Sequence, residues 1–292
     1  MPQWQGKSKG SPLGYRIFIV ILEKWGVRPA YILLYFVSFY YFIFSPTSSR
    51  LMYDFIHRKL GFGSLVSIGK LYRNYYLFGQ TIIDRIVLMA GMPNRFTFHF
   101  DGEENLHTMA SMKRGGLLLS GHVGNWEIAG HLLKRLNTRI NIVMFDGEHR
   151  QLKEYLTGVT GERTANIIII RNDLSHIYQI KEALDKNELV CMHADRYLEG
   201  VKTLEAIFLG KKAKFPAGPF ILAQKFKVPV SFVFAMKESN LHYHFYSSPV
   251  KEYTEDSNIT MPQQILNHFV EEMESKIKLY PEQWYNYYNF WQ

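Results

Sequence analysis

Residues 116–127 read GLLLSGHVGNWE, and this stretch decides the class of fold. A short apolar run ends at Ser120-Gly121-His122, and a helical segment begins near Asn125. An apolar strand feeding a helix through a glycine-containing turn is the opening of a βαβ unit. Working outward, the same alternation recurs. Apolar β-type runs at residues 96–100, 140–145, 166–170, 188–194 and 228–235 alternate with helical segments at 103–113, 125–136, 148–159, 174–185 and 217–225. That order predicts right-handed crossovers and an α/β fold, a largely parallel sheet flanked by helices. Residues 241–246 alternate polar and apolar side chains and predict an antiparallel edge strand. Residues 262–279 predict a closing helix, followed by an aromatic tail.

The N-terminal third has a different texture. Residues 15–26 are apolar with Arg16, Glu23 and Lys24 interspersed, and residues 29–49, PAYILLYFVSFYYFIFSPTSS, carry no charge. Pro29 suits the first turn of a helix and Pro46 ends it. A spanning helix needs about 20 apolar residues, and this stretch just reaches that length. Basic residues flank it on both sides, so it carries no orientation signal. It predicts membrane contact, spanning or lying in the interface, against the alternative of a buried core helix. Residues 64–90 read as one or two amphipathic helices. The expected organisation is an N-terminal helical membrane-associated region over residues 1–92 and an α/β domain over residues 93–292.

Composition narrows the function. Hydrophobic residues make up 47% of the 292, enough for a sizeable core, and a net charge of +8 favours anionic partners. Nucleic acid is one such partner, but no basic stripe or binding signature supports it. The 19 Tyr and 21 Phe with basic residues suit a membrane interface. The one cysteine, Cys191, lies in an apolar run and reads as a structural thiol. Neither an internal disulfide nor a thiolate metal cluster is possible with it.

Chemistry gathers at the carboxyl ends of strands in open α/β sheets, and His122 stands at such an end. Glu127, five positions later, can fold back and accept a hydrogen bond from one imidazole nitrogen. The other nitrogen is then left as a general base. Such a base can take the proton of an alcohol attacking a thioester, an effect of about 10² to 10⁴ in rate. A structural histidine capping the helix is the bland alternative. Cys191-Met192-His193-Ala194-Asp195-Arg196 ends another apolar strand, so Asp195 and Arg196 are expected on the same edge as His122. Arg196 could bind a phosphate or stabilise a thioester oxyanion, and His193 is expected to satisfy a core hydrogen bond. Lys211, Lys212 and Lys214 read as a basic loop ahead of a helix start, suited to an anion. A metallohydrolase built on His122, Glu127 and His131 lacks the His-Glu-x-x-His spacing, so no metal is expected. A non-catalytic lipid-binding membrane protein is the remaining alternative.

The His-x4-Glu pattern after an apolar strand resembles the signature of the lysophospholipid acyltransferase superfamily. GHVGNWE resembles the form found in the lipid A late (lauroyl/myristoyl) acyltransferases of Gram-negative bacteria. Asp195-Arg196, the Phe208-Leu209-Gly210 segment and Pro281-Glu282-Gln283-Trp284 are similar to later blocks of that branch. The resemblance spans residues 102–284. It departs from the glycerol-phosphate pattern at Ala217 and Pro219, and from the branch's basic tail after Trp284. The resemblance implies catalytic roles for His122 and Glu127; Asn125, Asp195 and Arg196, and the basic Lys211, Lys212 and Lys214, are the residues expected to contact substrate. It implies no metal or cofactor beyond a thioester co-substrate, acyl carrier protein or CoA. The implied acceptor is a lipid hydroxyl, and the implied location is the cytoplasmic face of the inner membrane. A different acceptor, such as an amino-acid lipid, a polyene pigment or a lysophospholipid, keeps the same chemistry.

Overall fold

The computed structural model of the chain describes residues 12–125, 128, 136, 138–145, 166–171 and 173–291. Four helices come first: α1 (Pro12–Trp25), α2 (Val27–Phe44), α3 (Pro46–Asp54) and α4 (Ser64–Met89). Gly26, with φ 80°, breaks α1 from α2, and Pro46 opens α3 at its first turn. A π-helical turn, Phe55–Lys59, follows α3. The segment expected as one or two helices is the single helix α4, 26 residues long. Helices α2 and α4 approach closely at Gly79, where a Cβ would meet Leu34 Cδ1 at 2.3 Å.

Seven strands form the main sheet: β1 (Thr97–Asp101), β2 (Gly116–Ser120), β3 (Ile140–Phe145), β4 (Asn166–Ile170), β5 (Leu189–His193), β8 (Val230–Ser239) and β9 (His242–Ser247). Their order is β1-β9-β8-β2-β5-β3-β4. Strands β8, β2, β5, β3 and β4 are mutually parallel, whereas β9 pairs antiparallel with β8 and β1 pairs parallel with β9. The sheet is therefore largely parallel and helix-flanked, as the alternation predicted. One detail differs: β9 is antiparallel to β8 as expected but is not the edge, because β1 covers it.

Central strand β2 shows why the run at residues 116–120 is apolar throughout. Every residue is buried, with Leu117 and Leu119 in one core cluster and Leu118 in another. A strand buried on both faces has no solvent side to give polar alternation. Each fully buried leucine contributes roughly 1.5–3 kcal/mol. Helices α5 (Glu103–Ser111), α6 (Ser175–Asp185), α7 (Gly218–Phe226) and α8 (Met261–Leu279) flank or close the domain. Phe269 and Met273 of α8 are fully buried in the same cluster as Leu117 and Leu119. The helices expected at 125–136 and 148–159 fall almost wholly outside the described residues.

A second sheet was not foreseen. Strands β6 (Thr203–Phe208) and β7 (Lys211–Pro216) form an antiparallel hairpin. Leu209 and Gly210, both at positive φ, make its two-residue turn. The three lysines expected in a basic loop are residues of β7.

Candidate active site

His122 lies two residues beyond β2, and Asp195 two residues beyond β5. These strands pair in parallel with Ser120 opposite His193, so both blocks reach the same sheet edge, as expected. There the Asp195 carboxylate accepts two hydrogen bonds from His122. One comes from the backbone N–H at 2.9 Å and the other from ring Nδ1 at 2.7 Å. A carboxylate only accepts, so Nδ1 carries the proton and Nε2 is the basic nitrogen. The His122 side chain is 16% exposed and that of Asp195 is 1% exposed, so the imidazole is within reach of solvent and its partner is not. Burial pushes the Asp195 carboxyl up, but the His122 imidazole and then Arg196 outweigh it, leaving the group well below the usual carboxylate range. Asp195 is thus the anion that orients and supports His122. Glu127 and His131 lie outside the described residues.

His193 stacks on His122, ring centroids 4.0 Å apart and planes 23° apart. Burial, reinforced by His122, drives its pKa well below the ordinary histidine value, with Asp195 opposing. It stays neutral beside His122.

The turn that carries His122 is held on every side. Gly124 has φ +70°, and a Cβ there would stand 2.1 Å from Ala235 O, so only glycine fits. The Asn125 N–H donates to Ala235 O at 2.7 Å. From the other side, Gly124 N donates to Gln283 O at 2.8 Å and Tyr285 N to His122 O at 3.2 Å. The Asn125 side chain is buried, and its amide donates to Thr81 O and to Tyr243 Oη. Asn125 therefore ties the turn to α4 and β9. Arg196 Nη2 donates to Tyr285 O at 2.6 Å, holding the same C-terminal segment. Lys211, Lys212 and Lys214 are exposed, and Lys212 pairs with Glu205 across the hairpin.

Beneath Asn125 lies a buried ionic cluster that no sequence motif announced. Lys237 of β8 is paired with Asp84 of α4, and Tyr31 of α2 and Tyr243 of β9 both donate to the same carboxylate. Lys237 also donates to Tyr31 Oη at 2.9 Å. The two charged side chains are 1% and 0% exposed.

A strand-end imidazole with a buried carboxylate partner can deprotonate a hydroxyl, and the comparison with known families says in which chemistry. The family profile described as bacterial lipid A biosynthesis acyltransferase matches residues 72–292. The chain belongs to that family. It is an acyltransferase, and the matched span contains His122, Asp195, the hairpin and the C-terminal segment. Among solved structures, the crystal structure of PlsC, the 1-acyl-sn-glycerophosphate (LPA) acyltransferase of Thermotoga maritima, is similar over 85% of this chain and 95% of that one. The two share 12% identity, with a TM-score of 0.39. None of the curated proteins matches this acyltransferase.

Proposed function

We propose that this acyltransferase moves a fatty acyl chain from a thioester donor, acyl carrier protein or CoA, to a hydroxyl of a lipid acceptor in a lipid A-like pathway. The observation that carries the reading is the His122 Nδ1–Asp195 bond at the sheet edge. His122 Nε2 takes the acceptor hydroxyl proton as that oxygen attacks the thioester carbonyl. The carbonyl re-forms as the C–S bond breaks, and the imidazolium returns the proton to the departing thiolate. Glu127 belongs to the proposal as a second acid of the same motif, and no metal or organic cofactor is needed for these steps. Arg196 and the exposed Lys211, Lys212 and Lys214 supply positive charge for a phosphate on the donor or acceptor.

The same reading puts the enzyme on the cytoplasmic face of the inner membrane, with residues 1–92 as the membrane-associated region. Helix α2 supports this, being long and apolar enough to cross a bilayer and only 28% buried. Phe36 is 71% exposed, and Ile32, Tyr40, Ile43 and Phe44 are exposed beside it.

Lipid mass spectrometry of a strain lacking the protein tests the acceptor. One lipid species is expected to lose a single acyl chain, restored by the wild-type gene and not by His122→Ala. An unchanged lipid profile, with no transfer by the purified enzyme from either thioester, overturns the proposal.

A further inference from the structure

Strands β1 and β9 bring together three side chains that have no part in the site above. His99 is in register with His244 across the parallel pair, and Asp101 lies two residues along β1, on the same face as His99. His99 Nε2 stands 3.4 Å from Asp101 Oδ1, and His244 Nε2 stands 3.1 Å from Asp101 Oδ2. One ligand atom from each residue lies within 4.8 Å of the others. A tetrahedral ion with bonds of 2.0–2.1 Å separates its ligand atoms by about 3.3 Å, so little movement closes this set around a metal.

The hydrogen bonds behind His244 decide its tautomer. Tyr280 Oη donates to Glu238 Oε1 at 2.7 Å. The 2.7 Å bond between Tyr246 and Tyr280 therefore takes the Tyr246 proton. Tyr246 has none left for His244 Nδ1, which lies 3.1 Å from its hydroxyl and 3.0 Å from Glu238 Oε1. Nδ1 must then be the donor, and Nε2 is the nitrogen that faces the Asp101 carboxylate. That nitrogen is buried and makes no hydrogen bond among the described residues. In the neutral tautomer this nitrogen turns a lone pair to the carboxylate, an arrangement completed by a cation bound between them. Lys276, the ammonium beside the cluster, lies over the Tyr246 ring at 3.7 Å and forms no ion pair with Asp101 among the described residues.

We propose that His99, Asp101 and His244 bind a divalent transition-metal ion of the zinc class, with Glu238 orienting His244 from behind. A carboxylate on the far nitrogen of a ligating histidine is the usual support for such a ligand. Glu238 reaches that position because β8 shifts register between Lys237 and Ser239, and such a bulge re-aims a side chain. Exposure of His99 and Asp101 leaves an entry path and room for water as the fourth ligand. The ion clamps edge strand β1, whose partner among the described strands is β9 alone. Neither the ion nor the clamp depends on the acyl-transfer reading.

The test uses the full chain in detergent, freed of any histidine tag and stripped with chelator. Co²⁺ is titrated with visible absorption as the readout, and Zn²⁺ by calorimetry. The expected result is one ion per chain with the intense visible bands of tetrahedral Co²⁺. His99→Gln should abolish binding, Glu238→Gln should weaken it roughly tenfold, and His122→Ala should leave it intact. Circular dichroism verifies the fold of each variant. Absence of tetrahedral Co²⁺ bands in the wild type overturns the proposal. So does binding that survives His99→Gln or disappears in His122→Ala, which would put the ion at His122, His193 and Asp195.

Discussion

Asp195 grips His122 twice, through the backbone N–H and through ring Nδ1, so one buried carboxylate sets both the position of the turn and the tautomer of the imidazole. Removing its charge while keeping its shape separates these roles. Asp195→Asn should fold and lose about 10² to 10⁴ in turnover, the range for a general base deprived of its support. His122→Ala should lose at least as much, and the double variant little more than His122→Ala alone. Near-normal turnover in Asp195→Asn would show that another acid, with Glu127 the first candidate, supports the base.

The same carboxylate gives a pH signature. Its pKa in the folded protein is depressed, so its stabilisation is present above the ordinary aspartate value, about 3.9. It is lost as the pH falls from there through the folded value. Urea midpoints between pH 6 and pH 3, on the order of one reading per half unit, should fall more steeply for the wild type than for Asp195→Asn. Parallel curves would mean that the carboxyl titrates alike folded and unfolded.

Breaking the buried Lys237–Asp84 pair should be costly. Lys237→Met leaves the Asp84 carboxylate buried without its cation, a loss of about 3–5 kcal/mol measured by chemical denaturation. Replacing both partners with apolar residues should recover much of it, since neither charge is then left buried alone. A full loss in the double variant would point to the tyrosines, not the charges, as the source of the stability.

Helix α2 makes a separable prediction. Phe36→Glu with Tyr40→Glu changes exposed side chains, so the fold should hold while the protein moves from the membrane pellet towards the soluble fraction. Unchanged pelleting would assign attachment to another surface.

Burial pushes the Cys191 thiol up to about 12. Its alkylation at pH 8 should be at least about tenfold slower in the native protein than in denaturant, because the thiolate is the reactive form. Equal rates would contradict a structural thiol.

The sequence exposed the fold best where periodicity is local. The doubly buried β2, the strand-end His122 and the shared edge of Asp195 were all legible, because consecutive parallel strands deliver their carboxyl ends to one side. The bond between His122 and Asp195 was not, because the spacing of Glu127 from His122 offered a nearer acid and hid a partner 73 residues away. The hairpin at Leu209-Gly210 was missed because leucine is an unusual residue at positive φ, so the turn lacks an Asn-Gly signal. Strand β1 beside β9 and the cluster around Asp84 depend on contacts between distant segments, to which periodicity is blind. The same holds for His99 and His244, which share no spacing motif and meet across the sheet alone.

The hydrogen bonds from Gly124 to Gln283 and from Tyr285 to His122 have a temporal meaning. A ribosome makes the His122 turn long before it makes the segment that braces it. The emerging enzyme therefore passes through a stage with its sheet strands and Asp195 made and the His122 turn still open on one side. The turn gains this brace only once residues 283–285 have left the exit tunnel. A truncation that spares every residue of the central sheet but removes residues 281–291 also takes Trp284 and Phe290 out of the core, so stability and turnover should fall together.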